Sequence, residues 1–482
     1  MTLEPVACPE PYEVAPQPVR LGRWELVPAR AVAIAYVSAV FVTAMDMQIV
    51  NVALPTLARA FDAPLSDVQW TVIAYLLTLA VVMPASGWIG DRIGTKRTFM
   101  VALVLFTVAS ALCGAAQSLG ELIGARALQG IGGGMLVPTG MAMLYRAYGP
   151  HQRARVARTL IIPILVAPGT APIIGGVLTQ WFSWRWVFLV NVPIGMLTFA
   201  FAYLSLPEHR ASPAGRLDVR GLVLSGFGLS ALLYAISQGS VLGWSSAPIL
   251  STGLGGLALL GVFVRLSISH PDPILRVSLV RDRLLRATNL VFALCSGPFL
   301  ASLYLTPIFL QVVLHQSPIG SGTTTFVEAI GVGFAAQTLG RLYPRVGPRV
   351  MAGVGAIGLC VFLALFLRVN ASTNLWLVRA LMFYGGVANS GVFLSIQTAM
   401  FTTISSRDTA HASAIYNTQR QSSIALNIAI VTTIVAGVAG SELTKFHAAY
   451  LASAILAALG AICAWTMIHT SDARSTMRQP VE

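Results

Sequence analysis

Apolar residues in this chain gather in runs of about 20, each long enough to cross a bilayer as a helix. Such runs begin near Ala31, Ser66, Thr98, Leu119, Ala154, Trp184, Leu217, Ala247, Leu284, Gly320, Arg349, Asn374, Ala410 and His447. They predict about fourteen transmembrane helices. A helix satisfies its own backbone hydrogen bonds, as a hydrocarbon solvent requires. The expected fold class is therefore an all-α membrane protein.

The polar positions between the runs alternate in character. Asp91 to Arg97, Arg146 to Arg158, His209 to Arg220, Arg265 to Arg286 and Arg341 to Arg349 are Arg-rich, whereas the loops between them hold isolated charges such as Arg59, Arg185, Arg368 and Lys445. The excess of positive charge on cytoplasmic loops places the first set, and both termini, inside the cell.

The chain also repeats itself. A shift of 253 residues carries Arg126-Ala127-Leu128 onto Arg379-Ala380-Leu381, Gly132-Gly133 onto Gly385-Gly386, and Gly87, Arg92, Gly94 and Lys96 onto Gly340, Arg345, Gly347 and Arg349. Copies in the same membrane orientation make a parallel repeat, the kind that relates the two halves of a carrier. The expected organisation is a tail (1–29), a six-helix bundle (30–207), a linker with two extra helices (208–283), a second six-helix bundle (284–470) and a tail (471–482).

Composition narrows the function. Of 482 residues 56% are hydrophobic and only 10% charged, against about 25% charged in a soluble protein. The net charge of +13 is spread among loops rather than gathered in a patch, which argues against nucleic acid. The five cysteines show neither metal spacing nor a disulfide framework, and no cofactor loop is found. The tract Gly130-Ile131-Gly132-Gly133-Gly134 interrupts an apolar helix and reads as close helix packing, not as a phosphate loop. The first 29 residues lack the basic start and cleavage site of a signal peptide.

Ionisable residues inside the apolar runs are the candidate chemistry. Asp46 sits within the first span, and an acid there faces a bundle interior or a wet cavity and tends to carry protons, ions or substrate. Desolvation and a neighbouring cation act in opposite directions on a carboxyl group, so such an acid can be tuned to exchange protons near neutral pH. The competing reading is a structural acid bonded to backbone or to Asn51. Arg126 is the expected cationic partner, since a buried guanidinium needs company. Glu328 is a second deep acid, expected to face a central cavity and to bind a cationic group or a proton; the alternative is a wall residue paired with Arg420 or a threonine. Asn51, Gln129, Gln311, Asn389 and Tyr416 are further cavity candidates, because each polar group must find a partner away from lipid. Asp91, near a helix turn with Arg92, Lys96 and Arg97, is placed to latch one bundle to the other.

At this point the residues resemble the major facilitator superfamily, and within it the fourteen-helix drug:proton antiporters. Gly87-Trp88-Ile89-Gly90-Asp91-Arg92-Ile93-Gly94-Thr95-Lys96-Arg97 is similar to the loop 2–3 signature, Asp46 through Asn51-Val52-Ala53-Leu54-Pro55 to that of helix 1, and Arg126-Ala127-Leu128-Gln129-Gly130 to that of helix 4. The stretch from Trp184 to Gly195 also looks like this group. The helix 5 stretch with Pro168, Pro172, Gly175 and Gly176 resembles the antiporter signature, with alanine at 167 and 171 where the pattern has glycine. The resemblance implies no enzyme and no cofactor. It implies proton coupling through Asp46 and Arg126, gating by the loop 2–3 and helix 5 residues, and export of small amphipathic compounds across a bacterial inner membrane. An adaptor and an outer-membrane channel are candidate additional partners. A carrier of one specific metabolite and a non-transporting sensor on the same fold are the alternatives.

Overall fold

The computed structural model describes residues 19–21, 24–26, 28–148, 169–208, 217–270, 273–400, 402–404 and 409–469. After a small hairpin (β1, Val19–Leu21; β2, Trp24–Leu26) every regular element among the described residues is helical. The first half comprises α1 (Pro28–Ala60), the short α2 (Leu65–Val68), α3 (Trp70–Ile93), α4 (Thr95–Ala115), α5 (Leu119–Ala147), α6 (residues 169–181), the short α7 (Trp186–Leu189) and α8 (Asn191–Ser205). The linker carries α9 (Val219–Leu242) and α10 (Ala247–Ser269). The second half comprises α11 (Arg283–Val291), a π turn (Phe292–Ser296), α12 (Gly297–Val312), α13 (Pro318–Leu365), α14 (Leu375–Ala399), α15 (Thr409–Gly437) and α16 (Glu442–Met467).

Polar caps set several of the starts. Ser118 accepts from the Glu121 amide while the Glu121 carboxylate reaches back to the Gln117 amide, closing the first turn of α5. The side chains of Ser317, Asn374 and Ser441 likewise accept from first-turn amides of α13, α14 and α16.

Among the described residues eleven helical segments are long and apolar enough to cross a membrane. One of them, 318–368, is two spans joined at Gly347, whose φ of 77° breaks the helix. α15 has the length but a more polar sequence, and of the span expected from Ala154 the structure describes residues 169–181. The expected all-helical membrane fold is borne out.

The repeat is visible in the backbone. Gly94 joins α3 to α4 with φ of 104°, and its counterpart Gly347 joins the two arms of α13. α5 packs between α3 and α4 through glycines: a Cβ at Gly132 would lie 2.6 Å from the Phe106 amide nitrogen, and one at Gly134 2.8 Å from the Leu79 carbonyl. α14 packs between the arms of α13 in the same way, with Gly386 against the Glu328 carbonyl and Gly355 against that of Ala388. Lipid gives helices no hydrophobic reason to associate, so such close backbone approach is what holds them together. The Gly130–Gly134 tract is thus a packing surface. Large apolar side chains such as Trp181, Met196, Leu254 and Ile462 are exposed around the outside, as a lipid-facing surface requires.

Candidate functional site

Asp46 is fully buried inside the first half, where α1, α4, α5 and α8 meet. Arg126 Nη1 donates to Asp46 Oδ2 at 2.6 Å; Gln129 Nε2 and Asn191 Nδ2 donate to Oδ1 at 2.9 and 2.8 Å. Arg126 also donates to the Gln129 side-chain carbonyl (2.7 Å) and, through Nε, to the Thr71 carbonyl (2.9 Å). Ser110 receives Gln129 Nε2 and Asn191 Nδ2 and donates to the Phe188 carbonyl. The Tyr75 ring lies 4.2 Å from the guanidinium carbon, closing the remaining face.

An isolated charge at this depth would be expensive; a paired one with its lone pairs filled is tolerated. Asn51, the alternative partner for Asp46, instead donates to Gln48 at 3.1 Å. Gln129 belongs to the Asp46 network rather than to a cavity wall. Asn191 and Ser110 were not assigned a role from sequence. Asn191 stands within the Trp184–Gly195 signature, while Ser110 looks like any small residue in a helix.

Glu328 lies in a narrow cleft between the halves, lined by Gln48, Asn51, Gly169, Pro172, Leu303, Pro307, Thr325, Glu328 and Ala329. Among the described residues no hydrogen bond or ion pair reaches its carboxylate, so neither Arg420 nor a threonine is its partner. By the repeat, Glu328 stands where the first half has Tyr75: the Tyr75 hydroxyl lies against Gly133, whereas Gly386, the counterpart of Gly133, lies against the backbone carbonyl of Glu328. Arg379, the counterpart of Arg126, is stacked on Trp376 at 4.6 Å. The second half therefore has no copy of the Asp46 network.

The cleft is sealed at the end of the bundle far from the α1 start. Gln311 Nε2 on α12 donates to the Val52 carbonyl on α1 at 3.0 Å, and the Ile319 amide to Gln180 Oε1 at 3.3 Å. Gly175 lies against the Ile49 carbonyl, Gly176 against that of Pro318, and Gly322 against that of Pro172. Pro168 lies outside the described residues. Asn389 and Tyr416 each keep a buried side-chain oxygen without a partner.

At the opposite end the loop 2–3 residues bond within the first half. Asp91 pairs with Arg146 on α5 at 3.0 Å. Glu208 accepts from the Lys96 amide (3.2 Å), lies 3.6 Å from Arg97 Nε and packs against Gly94. Arg92 lies over the Trp88 ring, and Gly87 faces open space. In this conformation Asp91 ties α3 to α5 rather than one half to the other.

Comparison with known proteins agrees with this architecture. The sequence model described as Major Facilitator Superfamily matches residues 36–221 and 213–428. A multidrug resistance protein B homolog from Mycobacterium tuberculosis is 35% identical over 324 residues, covering 67% of this chain and 60% of that protein, so the chain spans about 60% of that relative's length. A protein named as multidrug resistance protein MdtD from Serratia proteamaculans is 29% identical over 455 residues, covering 91% of this chain and 94% of its own. Two solved structures share the fold. The peptide transporter POT in complex with sulfate has a TM-score of 0.65 at 14% identity, covering 92% of this chain and 95% of that one. A bacterial homologue of the lysosomal transporter Spinster, in an inward-facing and unoccupied conformation, has a TM-score of 0.64 at 13% identity, covering 94% and 99%.

Proposed function

The chain belongs to the major facilitator superfamily and is a multi-span membrane transporter, not an enzyme; from that premise we propose that it exports small amphipathic compounds in exchange for protons. The observation that carries the reading is Asp46, a buried carboxylate held by Arg126, Gln129 and Asn191. The relatives' names, which speak of multidrug resistance, support the substrate class.

The units that rock are the two six-helix bundles, 30–207 and 284–470, joined by 208–283. The Arg-rich loops support an orientation in a bacterial inner membrane with both termini in the cytoplasm. The sealed far end then faces outside, and the Glu328 cleft lies beneath that seal. Substrate enters this cleft, with Glu328 and Asn51 supplying polar contacts and Gln311 at the seal above it. When the halves rock and the far end opens, a proton from outside reaches Asp46 and neutralises it. Loss of that charge weakens the hold on Arg126 and Asn191, loosens the helices that frame the cleft, and favours release outward. The proton and the substrate must each prefer one state, since a ligand shifts an equilibrium only by its differential affinity.

Inside-out vesicles test this directly. An acid lumen should drive accumulation of a lipophilic cation such as ethidium with wild type and not with Asp46→Asn. Uptake that ignores the gradient, or a mutant as active as wild type, would contradict the exchange.

A further inference from the structure

α15 carries polar residues through its first half, among them Tyr416 and Arg420. Arg420 stands about 16 Å along the helix from its start, near the middle of a hydrocarbon core about 30 Å thick. Its Nε is buried without a partner, and among the described residues nothing accepts a hydrogen bond from its guanidinium. The helical elements that pack on α15 are α2, α3, α9, α11, the π turn, α12 and α16. Their carboxylates are Asp67, Asp91 and Glu442, all near the ends of spans, and the last two are paired with Arg146 and Lys445. Arg126 in the first half shows what a satisfied intramembrane arginine looks like; Arg420 lacks every one of those contacts.

Tyr416 lies one helical turn earlier, and the four-residue spacing puts both side chains on one face of α15. Tyr416 is 3% exposed, its ring is held edge-on to Phe292 at 5.6 Å, and its hydroxyl has no partner. A guanidinium fork and a fixed phenol donor, with no acid mid-span on the described helices that pack on α15, are complementary to a planar oxyanion.

We propose that Arg420 and Tyr416 form an anion subsite that takes the carboxylate of an amphipathic substrate. The carrier then handles lipophilic acids and zwitterions, with the carboxylate on α15, and not only cations. This deepens the exporter reading and rests on it for the word substrate.

The test compares 1-naphthylacetate with its uncharged amide, a pair that shares the apolar body and differs in the charge. Equilibrium dialysis of the purified full chain in neutral detergent should show the carboxylate bound roughly ten-fold or more tightly than the amide. Arg420→Gln should abolish that preference, Arg420→Lys should retain part of it, and Tyr416→Phe should reduce it several-fold, with thermal unfolding confirming that each variant is folded. No preference in wild type, or a preference that survives Arg420→Gln, would overturn the subsite. Should Arg420→Gln not fold, the wild-type preference and Tyr416→Phe still decide. Because the readout is binding, a chain that prefers the carboxylate yet moves nothing against a proton gradient contradicts the exporter reading alone. One that exchanges cations for protons without that preference contradicts the subsite alone.

Discussion

Three donors reach the Asp46 carboxylate, and removing them is not equivalent. Arg126→Ala leaves a buried charge without its counterion and should cost about 3–5 kcal/mol of stability. Asn191→Ala removes one neutral donor from the same oxygen that Gln129 reaches, so about 1–3 kcal/mol is expected. Thermal unfolding in detergent, read on both variants, checks the order; equal losses would mean that the Asp46–Arg126 pair is not the centre of the network. Asp46, Arg126 and Glu328 were legible in the sequence because an ion stands out in an apolar run. Gln129 was legible as a polar group needing company, but whether that company is a cavity or another side chain depends on which way α5 turns. Ser110 carried no signal, since a serine in a helix bonds its own backbone as readily as a neighbour.

At the scale of elements, α6 is the piece that closes the cleft. Its glycines bring it within backbone contact of α1 and α13, where a side chain would hold the halves apart. Gly176→Val should therefore prevent closure of the far end and lower transport, and a fluorescent maleimide on a cysteine placed at Asn51 should react faster from that side. A cysteine pair at Gln180 and Ile319 should do the opposite, locking the seal when oxidised and restoring transport on reduction; undiminished transport by the oxidised protein would contradict rocking of the halves. The helix starts were readable from the apolar runs because a bilayer imposes a length. The π turn at Phe292–Ser296 was not, as it depends on how α12 meets α15 and α16. The meeting of α3 with α4 and of the two α13 arms at matching glycines was foreshadowed by the 253-residue shift, and the positive φ at Gly94 and Gly347 gives that match its physical reason.

The whole molecule is a repeat that has divided its chemistry. The first half holds a closed ion network around Asp46; the second presents Glu328 and Arg420 without partners among the described residues. Half of that division is written in the sequence itself, since the 253-residue shift carries Asp46 onto Phe299. The isolation of Glu328 from Arg420 emerges only when the helices are placed. The loop charges orient the whole: a cysteine replacing Lys445 in a chain stripped of its native cysteines should react with an impermeant maleimide on intact spheroplasts, and one replacing Arg345 should not. The reverse pattern would invert the direction of transport. The central claim, that proton and substrate compete through Asp46, is tested most directly by proton release from purified protein on adding lipophilic cations and amphipathic acids, read beside Asp46→Asn. Release by wild type that is lost in the mutant is the predicted result. Binding without release in both proteins would contradict it.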